Sequence, residues 1–435
     1  MAKNLTNKLE GRALPVVLFT VFLDVLGIGI LIPVLPQLIF HIFQPAGYSM
    51  NGSLIMLGWL TGIYPLMQFI ATPILGQLSD RFGRKSILGF SLAGTAIGYV
   101  LFAIGIVTKN IPLLFFARAF DGVTGGNISV ARAVIADVTP SEHRTRNFGL
   151  MGACFGFGFV IGPYLGARLA SPNLSFYGLF HTPHWFNSST PFWFTAILST
   201  INMMLVLFIL PETNLHIKRT AKIIWTKSLD NIRKAAAAPG LRTVFASEFL
   251  FWGGFSFFTA FFQILLIQKL HFSQSNIGDF FAYIGILMAA TQAVLVPILA
   301  KRFKNYQIMR FAFFGLSAGL FLQLLPHNTS QLLIFSLAIP VFVGLVIANA
   351  TALVSLSASR EIQGEVLGIE ASVQALAQSI PAIIAGYIAT MGVNMPVIVA
   401  GSVVFVGGLV FNGFYRPSKH VLHEEQADEL AAASA

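Results

Sequence analysis

The sequence has very little charge for its length. Of its 435 residues, 10% are Asp, Glu, Lys or Arg, whereas 55% are hydrophobic, and the mean hydropathy is +0.76. A soluble protein of this size needs a far larger share of charged surface, so the composition excludes an ordinary soluble domain. The single cysteine, Cys154, excludes a disulfide within the chain. Its apolar, glycine-rich surroundings are typical of a small buried side chain.

Residue sets for enzyme chemistry are also missing from the sequence. The nine histidines are scattered without metal-ligand spacing, and no nucleophile–base set stands out. The longest polar stretches are a segment near the middle and a short tail, so a sizeable soluble sensor domain is missing too. The sequence therefore argues against an enzyme and against a metal site.

What the sequence has instead is a series of long apolar runs. A membrane-spanning helix needs about 20 apolar residues, and these runs have that length. They predict an all-α membrane protein with about twelve transmembrane helices in two six-helix bundles. The predicted spans are 14–40, 54–78, 86–108, 112–136, 147–170, 191–210, 241–268, 277–300, 307–326, 331–356, 366–391 and 394–414.

A basic polar segment near the middle divides the chain into two halves. Residues 78–87 align loosely with residues 299–308, which suggests that the halves arose by duplication. The predicted divisions are an N-terminal bundle over 1–210, a cytoplasmic linker over 211–240, a C-terminal bundle over 241–414 and a cytoplasmic tail over 415–435.

The net charge of +10 reports the orientation of the chain in the membrane. In the predicted topology most of the 27 Lys and Arg residues fall on the side that holds both termini. This is the positive-inside pattern, which predicts cytoplasmic termini in a cell (inner) membrane. The basic charge therefore does not indicate a nucleic-acid partner, and we expect anionic lipid headgroups as secondary partners.

One segment, residues 76–88, is dense in charge within this apolar chain. It cannot lie in lipid, so it predicts a tight turn at the membrane surface. Its marked positions are Gly76, Asp80, Arg81, Gly83 and Arg84.

Among the charged residues inside predicted spans of the first half, Asp24, Arg118 and Asp121 are candidates for chemistry. Asp24 is about ten residues into the first span, about 15 Å deep. A carboxylate at that depth is costly unless it is paired, hydrated or protonated, so it is a candidate proton site, or else a static partner of a neighbouring helix. Arg118 and Asp121 share a helix face with Gly122 and Gly125. They either tune the proton site or form an ion pair that only neutralises itself.

A glycine pattern marks the fifth predicted span. Gly158, Gly162 and Gly166 recur every four residues, and Pro163 predicts a kink. Small residues at this spacing allow two helices to pack closely. The pattern predicts at least a packing seam.

Candidates for a substrate cavity are polar or aromatic positions that share helix faces. Glu248 shares a face with Trp252 and Phe255, and Glu370 begins a polar stripe at four-residue spacing. Packing and lipid contact also account for most of the phenylalanines, and Glu370 also fits a helix-start acid near water. The full set of cavity candidates is Gln68, Glu248, Trp252, Phe255, Glu370, Gln374 and Gln378.

The charged turn follows the pattern G-x-L-x-D-R-x-G-R-[KR]-x-x-L, which resembles the signature between helices 2 and 3 of the major facilitator superfamily of transporters. Within that family the first half resembles the drug/proton antiporter branch, and tetracycline/proton antiporters most closely. The stretches that carry this resemblance are Asp24–Gly29, Pro33–Pro36, Leu66–Phe69, Ile135–Thr139 and Ala153–Gly158.

The family's motifs map onto the residues already singled out. Arg118 resembles the helix-4 arginine associated with proton coupling, and the Gly158–Gly166 pattern resembles the antiporter motif. The resemblance also implies that Asp137 interacts with the charged turn through Arg84. The sequence departs from the tetracycline exporters in several places. Gly98 stands where they carry an essential aspartate, Asp121 and Arg132 stand where they usually have small residues, and the ninth predicted helix lacks an acidic residue.

The resemblance implies a proton-coupled secondary active transporter that exports a drug-like or amphipathic small molecule by alternating access. Asp24, Arg118 and Asp121 would handle the proton, and the charged turn with Asp137 would act as a conformational latch. The implied transporter is a monomer that uses the proton gradient and no cofactor. The alternatives are a transporter of a specific metabolite, such as a siderophore, sugar or lipid headgroup, and a non-transporting membrane sensor.

Overall fold

The computed structural model describes residues 2–139, 144–172, 174–176, 180–214, 223–237, 240–357 and 363–417. Across these residues the chain forms sixteen α-helices and one pair of two-residue antiparallel strands, β1 (Ser175–Phe176) and β2 (Phe180–His181). The helices are α1 Ala2–Leu31, α2 Met50–Phe82, α3 Arg84–Val107, α4 Ile111–Thr124, α5 Asn127–Val138, α6 Arg144–Leu169, α7 Thr190–Ile209, α8 Lys227–Ala237, α9 Arg242–Leu270, α10 Gln274–Ala290, α11 Val296–Ala300, α12 Asn305–Leu322, α13 Thr329–Ser336, α14 Ala338–Leu356, α15 Gln363–Ala389 and α16 Met395–Phe414.

The predicted all-helical membrane architecture is present. Among the described residues, ten helical segments are long and apolar enough to cross a membrane. Two predicted spans have no counterpart among these ten. Span 112–136 is divided at Gly125 and Gly126 into α4 and α5, each shorter than a membrane crossing, and span 307–326 corresponds to the 18-residue α12.

The first helix also ends earlier than its apolar run. The run at 14–40 predicts a helix past residue 36, but α1 ends at Leu31 and a turn follows. Pro33 and Pro36 explain the difference, because proline lacks the amide hydrogen that a helix interior needs. Residues Ile39–Phe43 then form a short π-helical segment.

Side-chain caps fix the beginnings of three helices. Ser49 Oγ accepts a hydrogen bond from the Gly52 amide at 3.1 Å before α2. Asn110 caps α4 in the same way, and Asn328 caps α13. These caps satisfy amides that have no partner within the first helical turn.

The chain divides into two compact units. One contains Met1–Lys227 and Phe272–Gly285, and the other contains Ser228–His271 and Ile286–Ala435. The boundary near residue 227 falls within the predicted linker, where α8 forms. Residues 215–222 of that linker and residues 418–435 of the predicted tail lie outside the described residues.

Each unit has its own apolar core. In the first unit Val17, Val21 and Val25 form a buried stripe on α1 that packs with Val130 and Val134 of α5. Their four-residue spacing places them on one helix face. In the second unit the buried aromatic rings of Phe251, Phe313, Phe411 and Tyr415 follow one another at centroid distances of 6.4, 5.9 and 4.7 Å. On α9 itself, core packing accounts for most of the phenylalanines, because the following are buried as well as Phe251: Phe245, Phe257, Phe258, Phe261 and Phe262.

Candidate functional site

The first unit contains a polar cavity inside the helical bundle. Asp24 on α1 lies in its wall. Side chains from four other helices and the break between α4 and α5 complete it. The lining residues are Leu23, Asp24, Tyr64, Thr95, Tyr99, Gly125, Asn127, Thr195, Leu198, Ser199 and Asn202.

The break between α4 and α5 shapes one side of this cavity. It begins Asn127 on a new helix, and Asn127 interacts with the Asp24 carboxyl. Gln68 Nε2 donates a hydrogen bond to the Gly125 carbonyl at 2.9 Å, so this cavity candidate lies at the helix break. A Cβ on Gly122 would lie 2.5 Å from the Tyr64 carbonyl oxygen, which shows how closely α2 and α4 approach.

An ion pair lies beside the cavity. Arg118 Nη1 is 3.5 Å from Asp121 Oδ2, and the two side chains are 9% and 5% exposed. The Arg118 guanidinium also lies 4.4 Å from the centre of the Tyr64 ring, in a cation–π contact. The ion pair is therefore buried, and its arginine also contacts an aromatic ring.

The cavity and the ion pair form one electrostatic cluster. Asp24 interacts with Asp121, and Tyr64 interacts with Asp24, Arg118 and Asp121. Within the described residues, this cluster holds two carboxyl groups and one guanidinium. Asp24 Oδ2, Asn127 Nδ2 and Arg118 Nε are buried there without a hydrogen-bond partner. The cluster can thus accept a proton or water molecules at no cost to an existing hydrogen bond.

The charged turn is organised around Arg84. Its Nη1 atom lies 2.6 Å from Asp80 Oδ1, and its Nε donates to Asp137 Oδ2 at 3.0 Å. Asp137 is the partner that the family resemblance implies. Burial raises the pKa of the Asp137 carboxyl, which lies beyond the predicted span 112–136, and the Arg84 guanidinium opposes that shift. Arg81 lies 5.2 Å from the Phe82 ring centre and takes no part in this pairing.

The two glycines of the turn differ in their surroundings. Gly83 has a φ of +97°, which favours glycine, and a Cβ there would collide with the Glu212 carboxylate. A Cβ on Gly76 would meet nothing within 4 Å. The positive φ and the nearby Glu212 carboxylate therefore require glycine at position 83, whereas position 76 has room for a side chain.

Glu212 is a member of this site that the sequence reasoning missed. Its Oε1 accepts a hydrogen bond from the Arg84 amide at 2.9 Å, and its Oε2 accepts one from the Lys85 amide at 3.2 Å. A carboxylate is favourable at this position because the first amides of α3 point toward it and the helix dipole is positive there. The available signal was an acid directly after Pro211, at the start of an otherwise basic segment.

The glycine pattern of α6 packs against α1. A Cβ on Gly158 would lie 2.8 Å from Val25 Cβ, and one on Gly162 would lie 2.6 Å from the Leu26 carbonyl oxygen. Gly166 similarly meets the Ile30 backbone, and Gly29 meets Pro163. This seam begins one residue after Asp24, so it holds the α1 backbone next to Asp24 close to α6.

Another ion pair lies at the C-terminal end of α6, just beyond the glycine pattern. Arg168 Nη2 donates to Asp279 Oδ1 at 2.7 Å, and the Arg168 guanidinium lies 5.0 Å from the Tyr164 ring centre. Asp279 belongs to the first turns of α10, where Gly278 packs on Ala167. The sequence reasoning did not single out this pair.

The second unit brings two predicted acids together. Glu248 on α9 and Glu370 on α15 are 3% and 8% exposed, and their carboxyls interact. Thr351 Oγ1 donates to Glu370 Oε1 at 2.8 Å. Further along, Ser256 Oγ donates to the Gln378 carbonyl at 2.9 Å. Trp252, Phe255, Gln374 and Gln378 are each partly buried.

Comparisons with known proteins agree with the family resemblance. The model of the Major Facilitator Superfamily matches residues 17–329 and again 244–434. The class C tetracycline resistance protein of Escherichia coli is 34% identical over 298 residues, covering 68% of this chain and 70% of that protein. Multidrug resistance protein 1 of Bacillus subtilis is 26% identical over 384 residues, covering 88% of this chain and 91% of that protein. The crystal structure of the human organic anion transporter MFSD10 has the same fold, with a TM-score of 0.72 at 22% identity over 92% of this chain and 99% of that one.

Proposed function

We propose a function on the premise that this chain belongs to the major facilitator superfamily, an integral membrane family of transporters and not of enzymes. The proposed function is proton-coupled export of a drug-like or amphipathic small molecule by alternating access. The proton gradient is the energy source, and no cofactor takes part.

The observation that carries this proposal is the charge balance of the buried cluster. With both carboxyls ionised, Asp24 and Asp121 together outweigh the single guanidinium of Arg118 by one negative charge. Protonation of one carboxyl makes the cluster neutral. A buried net charge is costly in free energy, so the neutral, protonated cluster is favoured when it is shielded from water. The cluster can release the proton when it becomes accessible to water.

Asp24 is the better candidate for the exchanged proton. Asp121 is paired with Arg118, whereas one oxygen of Asp24 lies buried without a hydrogen-bond partner among the residues described. Asp24 also lines the polar cavity, where water can reach it. In the proposed cycle, substrate and proton compete at Asp24, and the Arg118–Asp121 pair sets the affinity for the proton.

The functions that the names of similar proteins give support a drug-like substrate. Tetracycline resistance proteins and a multidrug resistance protein occur among the proteins similar to this chain. The packing of Gly158 and Gly162 on α1 beside Asp24 supports export, because the family resemblance assigns this pattern to antiporters. We place the protein in the cell (inner) membrane as a monomer with both termini in the cytoplasm, following the distribution of its basic residues.

Transport into inverted membrane vesicles tests this proposal. With an imposed pH gradient, vesicles containing the wild-type protein are expected to accumulate tetracycline or ethidium, and a protonophore should abolish the accumulation. Asp24→Asn is expected to lower the initial rate by about tenfold or more. Asp230→Asn, on α8 and not part of the Asp24 cluster, is the matched control and should transport as the wild type does. Accumulation that ignores the protonophore would refute proton coupling.

A further inference from the structure

The break between α4 and α5 lies inside the predicted span 112–136, where a backbone group without a protein partner is costly. In a continuous α-helix the Ser129 amide would donate to the Gly125 carbonyl, four residues earlier. Here it donates to the Gly126 carbonyl at 3.2 Å, three residues earlier. The Gly125 carbonyl therefore needs a donor from outside its own helix.

Side chains of two neighbouring helices donate to the carbonyls at the break. Gln68 Nε2 on α2 donates to the Gly125 carbonyl at 2.9 Å. Ser91 Oγ on α3 donates to the Thr124 carbonyl. A buried carbonyl costs free energy unless it is paired, so these two donors stabilise the broken form of the helix.

The backbone at the break is close to helical geometry. Gly125 has a φ of −74° and a ψ of 11°, and Gly126 has a φ of −75° and a ψ of 10°. An α-helix has a φ of about −63° and a ψ of about −42°, so a rotation of about 50° in ψ at each glycine would join α4 and α5. Gln68 and the Ser129 amide are therefore alternative donors to one carbonyl, and each favours a different form.

The break determines where Asn127 lies. Asn127 is the first residue of α5, is 2% exposed, and interacts with the Asp24 carboxyl in the polar cavity. An amide N–H group stabilises an ionised carboxylate more than a protonated one. Joining α4 and α5 into one helix would turn Asn127 relative to α4 and change its position beside Asp24.

The other groups around Asp24 do not depend on the break in this way. The titratable and charged groups that interact with Asp24 or with its neighbours in the cluster are Asp121, Arg118, Tyr64 and Tyr99. The described residues of α7 that line the cavity are uncharged. Asn127 is therefore the member of the cluster whose position the break controls most directly.

We propose that Gln68 and Ser91 are positioning residues of the proton site: they hold the break between α4 and α5, and the break holds Asn127 beside Asp24. This inference rests on the proposed proton-coupled function. It adds a route through the backbone by which side chains of α2 and α3 set the proton affinity of Asp24.

Infrared titration of the purified full-length protein in liposomes tests the inference. The titrating carboxyl band that Asp24→Asn removes reports the protonation of Asp24. Gln68→Leu is similar in size but cannot donate, so Asn127 should move from Asp24. The midpoint should then shift to higher pH by about 0.5 unit or more, which is about a threefold gain in proton affinity. Ser91→Ala should shift it in the same direction.

Gln77→Leu, the same substitution further along α2, is the matched control. Its amide donates to the carbonyls of Pro73 and Ile224 and takes no part in the break, so its midpoint should equal that of the wild type.

Asn127→Ala separates positioning from a direct effect of Gln68 on Asp24. Alone, it should shift the midpoint at least as far as Gln68→Leu does. Adding Gln68→Leu to Asn127→Ala should cause no further shift, because both substitutions remove the same contact.

The inference is overturned by any of four results: Asp24→Asn removes no titrating band, Gln68→Leu titrates as the wild type does, Asn127→Ala leaves the midpoint unchanged, or the two shifts add. Thermal melting identifies a Gln68→Leu variant that has not folded. Ser91→Ala, with and without Asn127→Ala, then decides by the same criteria.

This titration needs neither a substrate nor a gradient, so its result is separate from transport. A shifted midpoint in Gln68→Leu without gradient-driven export by the wild type would refute the proposed function and leave the positioning role intact. Export by the wild type with an unshifted midpoint in Gln68→Leu would do the reverse.

Discussion

Asp121 occupies the space that a side chain at Gly98 would fill. A Cβ built on Gly98 would lie 2.9 Å from Asp121 Cβ and 3.5 Å from its Cγ. The resemblance to tetracycline exporters implies an aspartate on the third helix where this chain has Gly98 and a small residue on the fourth where it has Asp121, and we propose that these two departures are a single exchange. This chain supplies the carboxyl from α4, and Gly98 on α3 leaves room for it.

This exchange predicts a rescue between two positions. Gly98→Asp alone should abolish transport, because it adds a side chain and a second charge where Asp121 already lies. Asp121→Gly alone should also lose transport, since Arg118 would lose its described ion-pair partner. The double variant Gly98→Asp with Asp121→Gly should recover a measurable part of the gradient-driven rate. A double variant no better than either single one would show that the two positions are not equivalent.

The seam between α1 and α6 predicts a sharp difference between two glycines of one helix. Gly162→Ala should destabilise the protein by about 1–3 kcal/mol, because its methyl group would meet the Leu26 carbonyl. It should also reduce transport by displacing Asp24.

Gly152 on the same helix is the matched control. A Cβ there meets nothing within 4 Å, so Gly152→Ala should change stability by no more than about 0.5 kcal/mol. Melting temperatures and transport rates of the two variants provide the comparison. Equal effects at both positions would contradict the described packing.

The Glu212 cap predicts a loss of stability at the charged turn. Glu212→Gln removes the negative charge from the beginning of α3 and one of the two acceptor atoms used by the Arg84 and Lys85 amides. The free energy of unfolding is expected to fall by about 1 kcal/mol, which would be measured as a lower melting temperature. Asp230→Asn, whose carboxylate lies 3.6 Å from exposed Arg233, should change it much less. A melting temperature for Glu212→Gln equal to that of the wild type would mean that the cap is not used.

The sequence was informative where a feature is local. Apolar runs predicted the long helices, and the charged turn and the pairing of Arg84 with Asp137 followed from a short motif and its known partner. The sequence was less informative where two distant segments meet. The residues around Gly83 do not predict its contact with Glu212, and those around Arg168 do not predict its pairing with Asp279. Both contacts depend on how segments that are distant in the sequence pack together.

Backbone irregularities were also hidden in the sequence. The run at 112–136 has the composition of one continuous helix, yet Gly125 and Gly126 break it and bring Asn127 to Asp24. Adjacent glycines permit such a break but do not require it. The pairing of Glu248 with Glu370 likewise depends on the register between α9 and α15, which neither helix encodes alone.

The central claim is that Asp24 carries the proton that is exchanged for substrate. Its most direct test is substrate-dependent proton movement, recorded with trapped pyranine in liposomes that contain the purified protein. The wild type is expected to move protons when a transported drug is added. Asp24→Asn is expected to move none, while it still exchanges labelled for unlabelled drug across the membrane. A substrate-dependent proton flux in Asp24→Asn equal to that of the wild type would contradict the claim.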